Sequence, residues 1–145
     1  MKAKEMWRLF CEKNQIEQQC FSEWSYGDNA DELAELTKKG IKTATSSAFL
    51  FYELEKESLP KPGDYSVVLN AKDDAVCIIQ TKNVEIVPFF KVSEEHAYKE
   101  GEGDRSLAYW RDVHRAFFTK ELSALQQSFT EELLVVCEEF LVVYK

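Results

Sequence analysis

The most reactive stretch of this chain is Gly40-Ile41-Lys42-Thr43-Ala44-Thr45-Ser46-Ser47, where one lysine stands among small, β-branched and hydroxyl residues just after a charged segment. A lysine between hydroxyls at a helix exit could bind a phosphate or polarise a substrate carbonyl. An unpaired lysine near a cavity has its pKa lowered by desolvation and can serve as a base. Thr45 is its natural companion. In a regular strand, positions three apart point to opposite faces, so a shared site for Lys42 and Thr45 requires irregular backbone between them. The same residues would also suit a solvated edge strand.

Two further groups could supply the rest of a site. In Lys99-Glu100-Gly101-Glu102-Gly103-Asp104-Arg105, acids alternate with glycines between two cations. One carboxylate opposite Lys42, with Glu100 the candidate, would make an acid–base pair for proton transfer; a solvated surface turn has the same composition. Beyond it come Arg105, Tyr109, Trp110 and His114. Trp110 and His114, four apart, can face one cavity from a helix. Stacking on Trp or Tyr with phosphate pairing by Arg would suit a nucleoside or short single-stranded RNA. Core packing is the alternative for Trp110 and Phe117, and a hydrogen-bonded buried imidazole the alternative for His114.

The elements that must position these groups follow from periodicity. Residues 3–14 carry Ala3, Met6, Trp7, Phe10 and Cys11 on one helical face. Residues 16–26 lack a clear period and read as an extended connector over the core. Asp28 is a plausible N-cap for a second helix to about Lys39, with Leu33, Ala34 and Leu36 inward and Gly40 as its stop. A short aromatic helix is expected over residues 48–57. Leu59-Pro60-Lys61-Pro62-Gly63-Asp64 is a strong turn signal, and β-branched runs at 65–69 and 75–87 form a hairpin with a long loop. Ser93 and Ser106 each cap a further helix, the second running to about Leu122. Residues 133–144 form a closing strand. Either of its alternation registers contains Glu138 or Glu139, so a bulge or a carboxylate at a barrel mouth is expected. Helices, a hairpin and a closing strand in this order suggest a single α+β domain around a curled sheet or barrel.

Composition narrows the function classes. With 145 residues the chain suits one domain with a real core. Net charge is −8 and the pI about 4.9, which disfavours a nonspecific grip on duplex DNA. No apolar run approaches the roughly 18 residues that would cross a membrane, and no leader-like N-terminus is evident, so a cytoplasmic location is expected. Cys11, Cys20, Cys77 and Cys137 form no C-x-x-C pair, and His96 and His114 match no zinc spacing. No cofactor and no structural metal are expected. There is no GxGxxG, Walker loop or Ser/His/Asp pattern.

The ordered set of motifs resembles the ASCH superfamily. Gly40-Ile41-Lys42-Thr43-Ala44-Thr45 is similar to its G-x-K-x-x-T signature. The likeness continues through Leu59-Pro60-Lys61-Pro62-Gly63-Asp64-Tyr65 and Val84-Glu85-Ile86-Val87-Pro88-Phe89. It is strongest in Gly101-Glu102-Gly103-Asp104-Arg105-Ser106-Leu107-Ala108-Tyr109-Trp110, followed by His114, Phe117 and Phe118. The resemblance implies a PUA-like β-barrel flanked by helices over residues 26–145, with residues 1–25 as a helix and connector packed on it. It also implies a cleft for a nucleoside or RNA segment. Members resemble RNA-binding regulators or ribonucleases, and one branch removes the acetyl group of N4-acetylcytidine. Carried over from that branch, the catalytic residues fall on Lys42, Thr45 and Glu100, with Arg105, Tyr109, Trp110 and His114 as substrate contacts. The N-terminal helix, the helical insertion after Thr45 and the Trp110 helix depart from that branch.

Overall fold

The computed structural model describes residues 1–17 and 19–145; Gln18, within the expected connector, lies outside the described residues. Helix α1 (Ala3–Asn14) buries the stripe read from the sequence: Ala3, Met6, Trp7, Phe10 and Cys11. It packs on Val67, Leu69 and Ile78 of the sheet. Each fully buried Met or Phe there contributes about 1.5–3 kcal/mol of transfer free energy, enough to dock the helix firmly.

The connector is more ordered than its sequence suggested. Ser22–Ser25 is a strand, β1. Helix α2 (Ala30–Lys38) starts one residue later than an Asp28 cap would give. Asn29 occupies the cap position in the left-handed region (φ 49°), and the Asp28 carboxylate accepts from the Asn29 N–H at 3.1 Å. Its fully buried face is Ala34 and Thr37, while Leu33 and Leu36 are half-buried. The remaining elements are β2 (Ala44–Ala48), α3 (Phe49–Glu55), β3 (Tyr65–Leu69), β4 (Ala75–Pro88), a 3-10 turn (Phe89–Lys91), α4 (Glu94–Glu100), α5 (Leu107–Ser123) and β5 (Leu134–Tyr144).

The five strands run in the order β1-β3-β4-β5-β2. All pairings are antiparallel except β1 with β3, which places Trp24 beside Val68. The sheet curls into a PUA-like half-barrel within one α+β domain, with β1 and β2 as its two edges. Because β1 lies in the first 25 residues, the sheet itself spans the division expected near residue 26. The interior strand β3 is covered on both faces: Val67 joins the α1 cluster, and Val68 joins a cluster with Ala34 of α2, Cys77 and Phe140. A strand buried on both sides reads as a continuous apolar run, which is what Val67-Val68-Leu69 is.

The two acids of β5 resolve as a bulge and a divided pair. The register between β4 and β5 shifts between Thr81 and Asn83. Glu138 then accepts from the Thr81 hydroxyl at 2.7 Å, and Glu139 meets Lys99 at 3.1 Å.

Candidate active site

Lys42 is positioned by the exit from α2. Gly40 adopts φ +77°, and the N–H groups of Ile41 and Lys42 both donate to the Leu36 carbonyl, at 3.0 and 3.1 Å. A left-handed glycine closes the helix in this way because it satisfies carbonyls left free at a helix end. The next residue is bolted on both sides: the Thr43 N–H donates to the Lys99 carbonyl (2.7 Å), and the Thr43 carbonyl accepts from the Phe140 N–H (3.0 Å). Strand β2 begins only at Ala44, so Lys42 lies in irregular backbone. That is the condition under which Lys42 and Thr45 can share a site, and both line one cavity.

Lys42 is neither solvated nor unpaired. Its side chain is 1% exposed, and Nζ lies 2.9 Å from Glu100 Oε1 and 2.9 Å from Glu102 Oε2. The Tyr26 ring sits 5.2 Å away, and the Tyr26 hydroxyl donates to Thr37 at 2.7 Å. Burial alone would lower the Lys42 pKa, but Glu100 and then Glu102 outweigh it and hold the pKa above its ordinary value. The expected unpaired, easily deprotonated lysine is therefore corrected to a fixed ammonium.

Glu100 is the hub. Ser93 caps α4 by accepting from the His96 N–H at 3.1 Å, which sets His96 and Glu100 one turn apart on the inward face. Glu100 Oε1 takes Lys42; Oε2 accepts from the Ser46 hydroxyl (2.6 Å) and the Trp110 indole N–H (2.5 Å). His96 Nε2 lies 3.2 Å and His114 Nε2 3.5 Å from the same oxygen. Complete burial would raise the carboxyl pKa, but Lys42, then His114 and His96, hold it well below the usual carboxylate range. Glu100 is thus a fixed anion rather than a titrating one. Gly101, at φ +71°, ends α4 against this site; a Cβ there would stand 2.5 Å from the Ile41 carbonyl oxygen.

The hydroxyl–imidazole contacts do not form a serine relay. Ser46 Oγ is 2.7 Å from His96 Nε2, but Glu100 faces that same nitrogen rather than the opposite one. His114 Nδ1 lies 3.0 Å from the Trp110 carbonyl, which can only accept, so Nδ1 carries the proton and Nε2 turns toward Glu100. Burial pushes the Cys77 and Cys137 thiols up to about 12, which makes them inert as nucleophiles.

These groups open on a cleft of about 670 Å³, within the range of small-molecule sites. Of the residues singled out in the sequence, Lys42, Thr45, Glu100, Tyr109 and His114 line it; Arg105 and Trp110 do not. Arg105 stacks on the Tyr98 ring at 3.7 Å and donates to the Tyr98 carbonyl at 2.9 Å, clamping the glycine loop from outside. Trp110 is 2% exposed, stacked on His114 at 4.3 Å and tilted against Phe89 at 5.2 Å, so its role is to pack and to hold Glu100. Sequence reasoning missed Tyr26, Ser46 and His96. Ser46 stood inside the singled-out stretch, and His96 stood one helical turn before Glu100, which was the available signal.

The cleft's formal charges are four carboxylates, Asp28, Glu100, Glu102 and Glu121, against two ammonium groups, Lys42 and Lys120. Glu100, Glu102 and His114 bring ligand-type atoms within 4.8 Å of one another, a grouping that spacing did not reveal. The Lys42 ammonium already lies against both carboxylates and supplies their positive charge.

Comparison with known proteins places the family and the fold. The family model of the ASCH domain matches residues 22–144. A crystal structure of a protein from Enterococcus faecalis is 36% identical, covers 97% of this chain and 87% of its own, and superposes with a TM-score of 0.89. An ASCH domain from Lactobacillus crispatus is 35% identical over 97% of this chain and 96% of its own, with a TM-score of 0.87. A hypothetical protein of 19% identity, covering 86% of this chain and 100% of its own at a TM-score of 0.58, shares the fold. No curated protein matches the chain.

Proposed function

We propose that this chain, which belongs to the ASCH domain family, takes an uncharged nucleoside in its cleft and hydrolyses an acyl amide on the base, as in N4-acetylcytidine. The observation that carries the reading is that Lys42, Thr45 and Glu100 line one cavity. The charge balance supports a nucleoside over a polymer. Acids outnumber ammonium groups around the cleft, so a phosphodiester finds little there to neutralise it.

The roles follow from the fixed charges. The Lys42 ammonium stabilises the oxyanion that forms as the amide carbonyl is attacked. Thr45 supplies the attacking oxygen; its Oγ1 bonds to the acyl carbon while its proton passes to Glu102, whose side chain is 16% exposed and therefore reachable from the cleft. The carbon–nitrogen bond then breaks, the proton returns from Glu102 to the leaving amine, and water hydrolyses the threonyl ester. Glu100 acts as a positioning residue that holds the Lys42 ammonium. Tyr109, 37% exposed at the rim, offers a ring for the base.

The PUA-like fold favours one other reading, a module that binds short single-stranded RNA without chemistry. Calorimetry with cytidine, cytidine 5′-monophosphate and a short single-stranded RNA separates the two. The nucleoside is expected to bind best, with an affinity insensitive to salt. Tightest binding by RNA, falling steeply with salt, would overturn the nucleoside reading.

A further inference from the structure

A second cavity, of about 470 Å³, meets the cleft at Tyr26, Gly27, Thr45, Ser46, Phe117 and Glu121, which line both. It follows the seam between the two sheet edges, with Trp24 and Ser25 of β1 on one side and β2 on the other. Its character differs from the cleft's. Trp24, Phe51 and Tyr52 give it aromatic walls, and Glu55, Glu57, Glu121 and Glu138 give it carboxylates. Among the described residues, no lysine or arginine lines it.

Glu138 is the informative member. It is 8% exposed, and among the described residues its one side-chain hydrogen bond is from the uncharged Thr81 hydroxyl, at 2.7 Å. Among the described residues it has no cationic partner, whereas its neighbour Glu139 on the opposite face has Lys99. A carboxylate this deeply buried is costly without a compensating charge. From this unmatched acid, open to an aromatic and anionic groove, we propose that the groove is a binding subsite for an organic cation. A protonated amine or guanidinium sets its charge at Glu138 and its flanks against the rings. A bare metal ion fits less well, since it requires several oxygens converging on one point. The one such convergence among the described residues is Glu100, Glu102 and His114, none of which lines the groove. Joined to the cleft reading, on which this last step rests, the groove selects substrates that carry a cationic arm past Thr45.

Calorimetry at physiological salt with spermidine, and with 1,8-octanediol as an uncharged chain of similar length, tests the subsite without any reaction. Spermidine is expected to bind one to one and octanediol not at all. Glu138→Gln, which keeps an acceptor for Thr81, should weaken spermidine about tenfold or more. Glu57→Gln at the rim should weaken it about twofold, and Glu5→Gln on α1 should leave it unchanged. Equal binding of octanediol, an unchanged affinity in Glu138→Gln, or an equal loss in Glu5→Gln would overturn the proposal. Spermidine binding with no cytidine release from N4-acetylcytidine would keep the subsite and discard the reaction.

Discussion

Lys42 and Glu100, 58 residues apart in sequence, form an ion pair of 2.9 Å with side chains only 1% and 2% exposed. Removing one partner leaves the other charge in the interior with less compensation, Lys42 keeping only Glu102, so Lys42→Met and Glu100→Gln should each cost about 3–5 kcal/mol of stability. The double variant should cost clearly less than the sum, because neither charge is then left alone. Urea denaturation of the four proteins checks this. Strictly additive losses would mean that the two groups do not compensate each other.

The same pair sets the pH range of stability. Glu100 has its pKa lowered from 4.5, so its contribution is fully present above that value and is lost as pH falls through the folded-state pKa. Lys42 has its pKa raised from 10.5, so its contribution is present below that value and is lost as pH rises through the folded-state pKa. Thermal unfolding should therefore show an acid limb below about pH 4.5 that Glu100→Gln flattens. An unchanged limb in that variant would contradict the assignment.

Glu138 has the opposite sign. Burial first, tempered by the Thr81 bond, raises its pKa from 4.5, so its ionisation opposes folding once pH exceeds the unfolded value. Glu138→Gln should raise the Tm at pH 7 by about 2–4 °C, the shift that 1 kcal/mol gives in a chain of this size. The gain should vanish well below pH 4.5. A lower Tm at pH 7 would mean that the carboxylate is compensated in the native protein.

Gly101→Ala tests the hinge between α4 and the Lys42 segment. A Cβ there meets the Ile41 oxygen at 2.5 Å, on a residue already at φ +71°. We expect a loss of about 1–3 kcal/mol or more and displacement of Lys42 from Glu100. Wild-type stability in this variant would show that the segment yields without cost.

How much of this was legible in the sequence depends on whether the controlling contacts are local. The α1 stripe, the Ser93 and Ser106 caps and the long hairpin follow from spacing and turn chemistry, and they form as read. β1 was hidden because four mostly exposed residues carry no alternation; it exists because β3 offers a parallel partner. In the site, the state of Lys42 depends on carboxylates 58 and 60 positions away, so a lysine that looked free in sequence is doubly paired in space. Arg105 and Trp110 were singled out for residue types that suit ligand contact, but both are spent on the scaffold. The resemblance to ASCH proteins brought Lys42, Thr45 and Glu100 together where spacing left them open.

The most direct measurement is cytidine release from N4-acetylcytidine by the wild-type protein and by Thr45→Val, which leaves the Lys42–Glu100 pair in place. The wild type should release cytidine and acetate, and Thr45→Val should fold normally while losing at least about 100-fold in rate. No release by the wild type, or equal rates in the two proteins, would contradict deacylation at this cleft.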